Sequence, residues 1–308
     1  MKFERFRTRE NWLRARKTAI GASESATILG QGYANSSPLT VWDGKVNPTQ
    51  DNGEEEPLRF WIGSEMEPVL RKIFEKVTGK PVLVPHAGYL TLYRDQEFNW
   101  LSATPDGLTD DASAVVELKD VGIHNRAEWE GDNVPLKYQI QVQHQLRVLD
   151  LQVGYLMALV GRDAVIRRVE RNDDFLAAML DVLRRFWAHV KNQTPPPIDG
   201  SAATTRALIR LHPDDSGEAV AIPEELGGMC AQLEHAKNEK KRIDLEIREA
   251  ENQIRAAIGD ASYGVTHDGR CYSWKTQTRK EFVVKASKTR VLRAVKALPK
   301  GLQLSDRV

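Results

Sequence analysis

Between residues 57 and 78 apolar side chains recur every three or four positions: Leu58, Trp61, Ile62, Met66, Val69, Leu70, Ile73, Phe74 and Val77. That period predicts an amphipathic helix opened by Pro57 and stopped by Gly79. The same step predicts a helix over residues 1–20, where Trp12, Leu13 and Ala15 follow Phe3 and Phe6. A break at Ile20-Gly21-Ala22 leads into another helix start with Ser23 as its N-cap, and Gly30 and Gly32 end it. Ser37-Pro38 opens a short helix with Leu39, Val41 and Trp42. Pro135 opens one of about fifteen residues with Tyr138, Ile140, Val142, Leu146 and Leu149, and a long helix runs from Asp173 to Lys191. Strands are expected at 81–85, 88–93, 98–103, 114–119, 153–160 and 164–170, with polar loops at 44–56 and 121–133. Thr194-Pro195-Pro196-Pro197 closes this first region.

The pattern changes after residue 222. Leu226, Met229, Leu233, Ala236, Lys240, Ile243, Ile247, Ala250, Ile254 and Ala257 fall at alternating steps of three and four, with Lys240 as the flaw and Gly259 as the stop. Two arrangements stay open for this coiled-coil-like helix: packing on its own domain, or an intermolecular seam. Short strands around 262–266, 270–275 and 280–284 suggest a small hairpin unit. The expected division is a core at 1–198, a linker at 199–221, the long helix at 222–259, and the hairpin unit with a basic tail at 260–308.

Composition narrows the class. In 308 residues, 41% are hydrophobic and 28% charged, as in globular proteins. Apolar runs are too short to span a bilayer, and the charged N-terminus lacks the apolar core of a signal peptide. Cys230 and Cys271 are too few for a disulfide framework or a four-cysteine cluster, so a reducing cytoplasm is the expected location. Net charge is only +1, but from Arg270 onward eleven Lys or Arg stand against two acids, a net of +9. The first seventeen residues are also basic, whereas acid collects at Asp51 and Glu54 to Glu56. Basic ends suit a phosphate backbone, though a solvated surface would look the same.

The candidate chemistry lies in two strings, Ala103-Thr104-Pro105-Asp106-Gly107 and Val115-Val116-Glu117-Leu118-Lys119. Together they read P-D-(x10)-E-x-K. Glu117 and Lys119 are two apart on one strand and so face the same way. Two carboxylates suit a hard cation such as Mg²⁺, and the adjacent amine can activate a water or offset charge on an attacked phosphate. Either string alone is commonplace; order, spacing and apolar setting lift the pair. Glu67, followed by Pro68 inside a predicted helix, is a further carboxylate, while Glu65 lies on another face. Tyr138 to Leu146 carries Gln139, Gln141, Gln143 and Gln145; Gln141 and Gln145 share a face. Their amides can contact phosphate without adding charge. His86, His124 and His144 match no usual zinc spacing. Arg16 and Ser23 flank a helix start suited to a terminal phosphate, with Arg14 close by.

This ordered set resembles a known family. Arg16 to Ser23 (RKTAIGAS), Ser37 to Trp42 (SPLTVW), Trp61 to Pro68 (WIGSEMEP), ATPDG, VELK, YQIQVQHQL and Phe186-Trp187 look like the YqaJ-type viral recombinases, relatives of phage lambda exonuclease in the PD-(D/E)xK nuclease superfamily. The similarity covers roughly residues 10–190. The resemblance implies an α/β (α+β) core, a restriction-endonuclease-like mixed central sheet flanked by helices, with the long helix and hairpin appended. It implies Mg²⁺-dependent DNA hydrolysis, with Mn²⁺ able to substitute. Asp106, Glu117 and the Leu118 carbonyl would match the metal ligands, Lys119 the catalytic lysine, Glu67 the helix carboxylate and Gln141 the motif glutamine. Arg16 and Ser23 would match the residues holding a 5′-phosphate, with Gln145 and Arg14 as neighbouring DNA contacts. Family members of this kind degrade duplex DNA ends 5′ to 3′, leave 3′ tails for a single-strand annealing protein, and in some cases form ring-shaped trimers. A structure- or sequence-selective endonuclease on the same core, and a catalytically silent DNA-binding or assembly subunit, are the alternatives.

Overall fold

A computed structural model describes residues 2–47, 58–84, 88–281, 289–293, 295, 298–299, 302 and 304–305. Within it, Met1–Leu211 and His212–Val308 are two separate compact units.

In the first unit the chain runs β1 (Lys2–Phe6), α1 (Arg9–Lys17), β2 (Ile20–Gly21), α2 (Ala22–Ile28), α3 (Pro38–Val46), α4 (Leu58–Thr78), β3 (Val82–Leu83) and β4 (Leu90–Arg94). It continues through β5 (Leu101–Ala103), β6 (Gly107–Thr109), β7 (Ala114–Val121), a 3₁₀ helix (Ile123–Trp129), α5 (Leu136–Leu149), β8 (Val153–Val160), β9 (Asp163–Glu170), α6 (Asp173–Lys191) and α7 (Ala202–Leu211). Two mixed sheets form. One has the order β1-β4-β5-β2, with β2 parallel to β5; the other has the order β3-β6-β7-β8-β9, with β7 parallel to β8. The fold is therefore mixed α/β with helices against mixed sheets, as the resemblance implies.

Helices on both sides explain why β7 and β8 read as near-continuous apolar runs, AVVELKDV and VGYLMALV, rather than alternating ones. Val115, Val116, Leu156 and Met157 have no solvent exposure. Helix α5 approaches the sheet closely over Gly154, where a Cβ would stand 2.5 Å from Val142 Cγ1 and 2.9 Å from Val115 Cγ2. Beneath α4, Leu70 and Phe74 pack on Val116, Leu118 and Met157. Burying such side chains stabilises the unit by roughly 1.5–3 kcal/mol each.

The structure corrects several expectations. Residues 1–20 are not one helix. Lys2–Phe6 form a strand antiparallel to β4, fixed by Arg94 Nε donating to Glu4 Oε1 at 2.7 Å, and α1 begins only after the Thr8 N-cap. Pairing between distant segments overrides the local helical spacing there. The N-cap of α2 is Gly21, not Ser23, which is the helix's second residue. The α4 stripe is only half used: Leu70, Phe74, Met66 and Ile73 face the core, whereas Leu58, Trp61, Ile62, Val69 and Val77 are exposed. Residues 107–109 form a further short strand directly after Asp106, and residues 123–129 are a 3₁₀ helix rather than open loop. Residues 44–46 close α3 and Asn47 caps it; residues 48–56 of the loop expected there, with Asp51 and Glu54 to Glu56, lie outside the described residues, as do Pro57, residue 85 and His86. Within the stretch expected as linker, α7 buries Ala203 and Ala207, and its Arg210 donates to Asp43 Oδ2 of α3.

In the second unit, β10 (Ala219–Val220) pairs in parallel with β13 (Leu304–Ser305), and β11 (Tyr263–Val265) forms a hairpin with β12 (Cys271–Ser273). Between them runs α8 (Gly227–Ile258), 32 residues long, entered through a 3₁₀ turn at Glu224–Leu226. Residues 282–284 of the third expected strand lie outside the described residues, as does part of the basic tail. Cys230 and Cys271 are exposed and not disulfide-bonded. Among the described residues no helix is long and apolar enough to cross a membrane.

Candidate active site

β6 and β7 pair only through Gly107↔Val116 and Leu108↔Val115. Beyond Val116 that side of β7 is open, and the chain entering β6 places Asp106 there. The Leu118 N–H donates to Asp106 Oδ2 at 2.7 Å. In an extended strand a residue's N–H and C=O point the same way, so the Leu118 carbonyl faces the same opening. Gly107 lets β3 cross beside Asp106: a Cβ there would lie 2.2 Å from Val82 Cγ1.

Glu117 and Lys119 share a face of β7, as expected. Glu117 is 1% exposed, and both oxygens of its carboxylate accept hydrogen bonds. Oε1 accepts from Lys119 Nζ and, at 2.5 Å, from Gln141 Nε2; Oε2 accepts from Gln145 Nε2 at 2.6 Å. The i, i+4 spacing on α5 thus clamps one buried carboxylate from both sides. Gln145 has no solvent exposure, so it supports Glu117 from below and does not lie on a surface where DNA could reach it.

Charge explains the ionisation of the group. Burial pushes the Asp106 carboxyl well above the usual range, and the neighbouring Glu117 and Glu67 add to that push. Glu67 is raised by burial too, with Arg71, 3.6 Å away, pulling it back down. Burial alone would lower the Lys119 pKa, but the Glu117 and Asp106 carboxylates outweigh it and hold the side chain as an ammonium. That ammonium also lies 5.5 Å from the Tyr138 ring centroid.

These groups line a cleft of about 1100 Å³. Asp106, Glu117, Leu118, Lys119, Glu67 and Gln141 line it, and so do Arg16 and Ser23. Arg16 Cζ sits 4.5 Å above the Trp12 ring. Its position is set by the elbow between α1 and α2: Lys45 Nζ donates to the Arg16 carbonyl at 3.1 Å and to Glu24 Oε1 at 2.8 Å, and the Gly21 N–H donates to Glu24 Oε2 at 2.7 Å. Ser23 is exposed on the cleft. Arg14 points elsewhere, paired with Glu10 at 2.9 Å with its side chain 72% exposed, and it is not part of the cleft lining. Glu65 is exposed.

His144 is buried and structural. Its Nε2–H donates to the Ser102 carbonyl at 3.1 Å, which leaves Nδ1 to accept from the Ser25 hydroxyl at 2.6 Å. Burial pushes its pKa down to about 4. The ring ties α2, which carries Ser23, to α5, which carries Gln141.

The spacing did not reveal Arg71, Trp12, Lys45 or Tyr138 as parts of the site. Arg71 donates to the Asp106 backbone carbonyl at 2.9 Å while facing the Glu67 carboxylate, so it ties the Asp106 main chain to Glu67. Its one sequence signal is the i, i+4 step from Glu67. The others act through contacts between distant segments.

The oxygen donors suit a hard divalent cation. Among the described residues no three His, Cys, Asp or Glu side chains form a ready cage, so the Leu118 carbonyl and solvent would have to complete the sphere. The crowding of Asp106, Glu67 and Glu117 is the charge pattern that a cation would relieve.

Fold and site together have the PD-(D/E)xK arrangement, a mixed sheet that brings Asp106, Glu117 and Lys119 to one cleft. Residues 11–152 match the YqaJ-like viral recombinase domain. The chain is 28% identical over 262 residues to the uncharacterized protein YqaJ of Bacillus subtilis (strain 168), covering 83% of this chain and 80% of that one. Its fold matches an alkaline exonuclease, LHK-Exo, from Laribacter hongkongensis with a TM-score of 0.50 at 19% identity, over 66% of this chain and all of that one. A phage related exonuclease from Haemophilus somnus 129PT aligns with a TM-score of 0.43 at 12% identity, over 57% and 94% of the two chains.

Proposed function

We propose that the chain is a Mg²⁺-dependent DNA exonuclease that degrades linear duplexes from the 5′ end and leaves 3′ tails for a single-strand annealing protein. The observation that carries this is the convergence of Asp106, Glu117 and Lys119 on the floor of a cleft that Arg16 and Ser23 also line. The fold shared with LHK-Exo, an alkaline exonuclease, supports it.

Asp106, Glu117 and the Leu118 carbonyl would hold the cation, with Glu67 contacting it directly or through water. When bound, a divalent ion supplies Lewis-acid polarisation of the phosphate and its attacking water. Lys119, kept as an ammonium by its carboxylates, orients that water and offsets charge on the scissile phosphate. Gln141 and Gln145 keep the Glu117 carboxylate in one rotamer. Arg16 and Ser23 receive the terminal 5′-phosphate, which fixes which strand enters the floor; the guanidinium fork suits that anion. The basic tail adds affinity for the DNA backbone.

Digestion of linear duplexes bearing a 5′-phosphate, a 5′-hydroxyl or blocked ends, beside closed circles, with and without Mg²⁺, tests this. Nicking of closed circles at the rate of linear digestion would point to an endonuclease instead.

A further inference from the structure

Helix α8 presents a seam that its own unit leaves uncovered. None of its residues is buried, and Met229, Ile243 and Ile247 are 64%, 45% and 52% exposed. A helix with so long an exposed apolar stripe is normally covered by another surface.

The side chains in the stripe choose the partner. Counting Leu226, the residue that caps α8, the a positions in heptad notation are Leu226, Leu233, Lys240, Ile247 and Ile254, and the d positions are Met229, Ala236, Ile243, Ala250 and Ala257. The a residues are all long; three of the five d residues are alanine. A parallel pair sets a on a and d on d. It would stack three layers of alanine on alanine and bring Lys240 against Lys240. An antiparallel pair sets a on d. Centred between Lys241 and Arg242, its layers are Leu226 with Ala257, Met229 with Ile254, Leu233 with Ala250, Ala236 with Ile247, and Lys240 with Ile243. All ten positions are used. No alanine meets alanine, and each Lys240 lays its stem on isoleucine while the ammonium reaches solvent.

The flanking charges lean the same way. In this register Lys237 of one helix faces Asp244 of the other, twice by symmetry. Glu239 and Glu246 face across the opposite flank, but Arg242 of their own helix already binds both, at 3.0 Å for Glu239. A parallel pair would instead oppose Glu239 to Asp244 and Glu246 to Glu251. Length is sufficient: 32 residues span about 48 Å. At roughly 50 Å² for each of the twenty seam positions the pair buries about 1000 Å², the size at which specific interfaces begin.

We propose that α8 pairs with α8 of a second copy of this chain as an antiparallel coiled coil centred between Lys241 and Arg242. Sedimentation equilibrium of the full chain tests the association. Leu233→Lys with Ile247→Lys is expected to weaken one dimerisation step at least 100-fold while circular dichroism and nuclease activity stay unchanged. Lys240→Ile is expected to tighten the same step at least 10-fold. An unchanged mass distribution in both variants would overturn the pairing. Spin labels read its direction, in a Cys230→Ser, Cys271→Ser background. A label at Lys241→Cys should lie under about 25 Å from its counterpart. One at Gly228→Cys should lie about 40 Å away, because its neighbour across the pair is residue 255. Two short distances would mean a parallel pair, and no dipolar signal at either position would mean no pair; each result overturns the proposal.

Discussion

Gln145, with no exposure to solvent, donates its amide to Glu117 Oε2 at 2.6 Å, while Gln141, one turn earlier, holds Oε1. The buried carboxylate of the site is therefore fixed by one helix, and the two amides differ in what they touch besides it. Gln145→Ala strips a partner from a buried charge and leaves a void, so it should cost about 1–3 kcal/mol of stability as well as activity. Gln141 lines the cleft, where water can replace its amide. Gln141→Ala should lower kcat with under about 1 kcal/mol of stability lost. Urea denaturation beside kcat checks this; equal stability losses would contradict it.

Arg16 and Arg14 separate the roles of two neighbouring cations. Arg16→Ala should lower kcat/KM on 5′-phosphorylated ends by about 10-fold or more, since a hydrogen bond to a charged group is worth about 1.5–3 kcal/mol. On 5′-hydroxyl ends the loss should be small. Arg14→Ala, whose side chain turns away to Glu10, should change neither. An equal loss on both kinds of end would make Arg16 a general backbone contact.

Burial pushes the Asp106 pKa up, and the neighbouring carboxylates Glu117 and Glu67 push it further. Asp106→Asn relieves that repulsion and should raise the stability of the metal-free protein. It should also remove stabilisation by Mg²⁺, which for the native chain reaches about 2.7 kcal/mol at one hundred times Kd. Thermal denaturation with and without Mg²⁺ reads both effects. A Mg²⁺ shift that survives in the variant would place the ion elsewhere.

His144 makes stability depend on pH in a defined window. Its pKa falls from 6.5 to about 4 on folding, so the unfolded chain binds the proton more readily. The contribution is complete above pH 6.5 and is lost as pH falls towards 4, by about 3 kcal/mol at about 1.4 kcal/mol per unit. The difference in unfolding free energy between native and His144→Gln protein, followed from pH 7 to 4.5, should shrink on acidification. A difference independent of pH would rule the histidine out as the source.

Much of this architecture can be read from the chain because its signals are local. The apolar runs of β7 and β8, the period of α6 and the proline before α5 each specify their element without distant help. The P-D-(x10)-E-x-K spacing works because Asp106 and Leu118 lie on adjoining parts of one hairpin. What escaped depends on partners far along the chain. Phe3 and Phe6 fit a helical step, yet β4 recruits their segment as a strand. Gln145 shares Gln141's face, but only the depth of α5 over Gly154 decides that one amide is buried and the other lines the cleft. Arg71 and Lys45 gain their roles from a loop and an elbow that no spacing rule connects to them.

Lys119 is the group whose removal tests the account most directly, because the proposed mechanism places it beside the scissile phosphate. Release of nucleotides from a linear, 5′-phosphorylated duplex in Mg²⁺ should fall at least 10³-fold in Lys119→Ala, while the affinity for the same duplex changes less than about 10-fold. Nucleotide release by the purified variant at the native rate would contradict the assignment of this cleft as the active site.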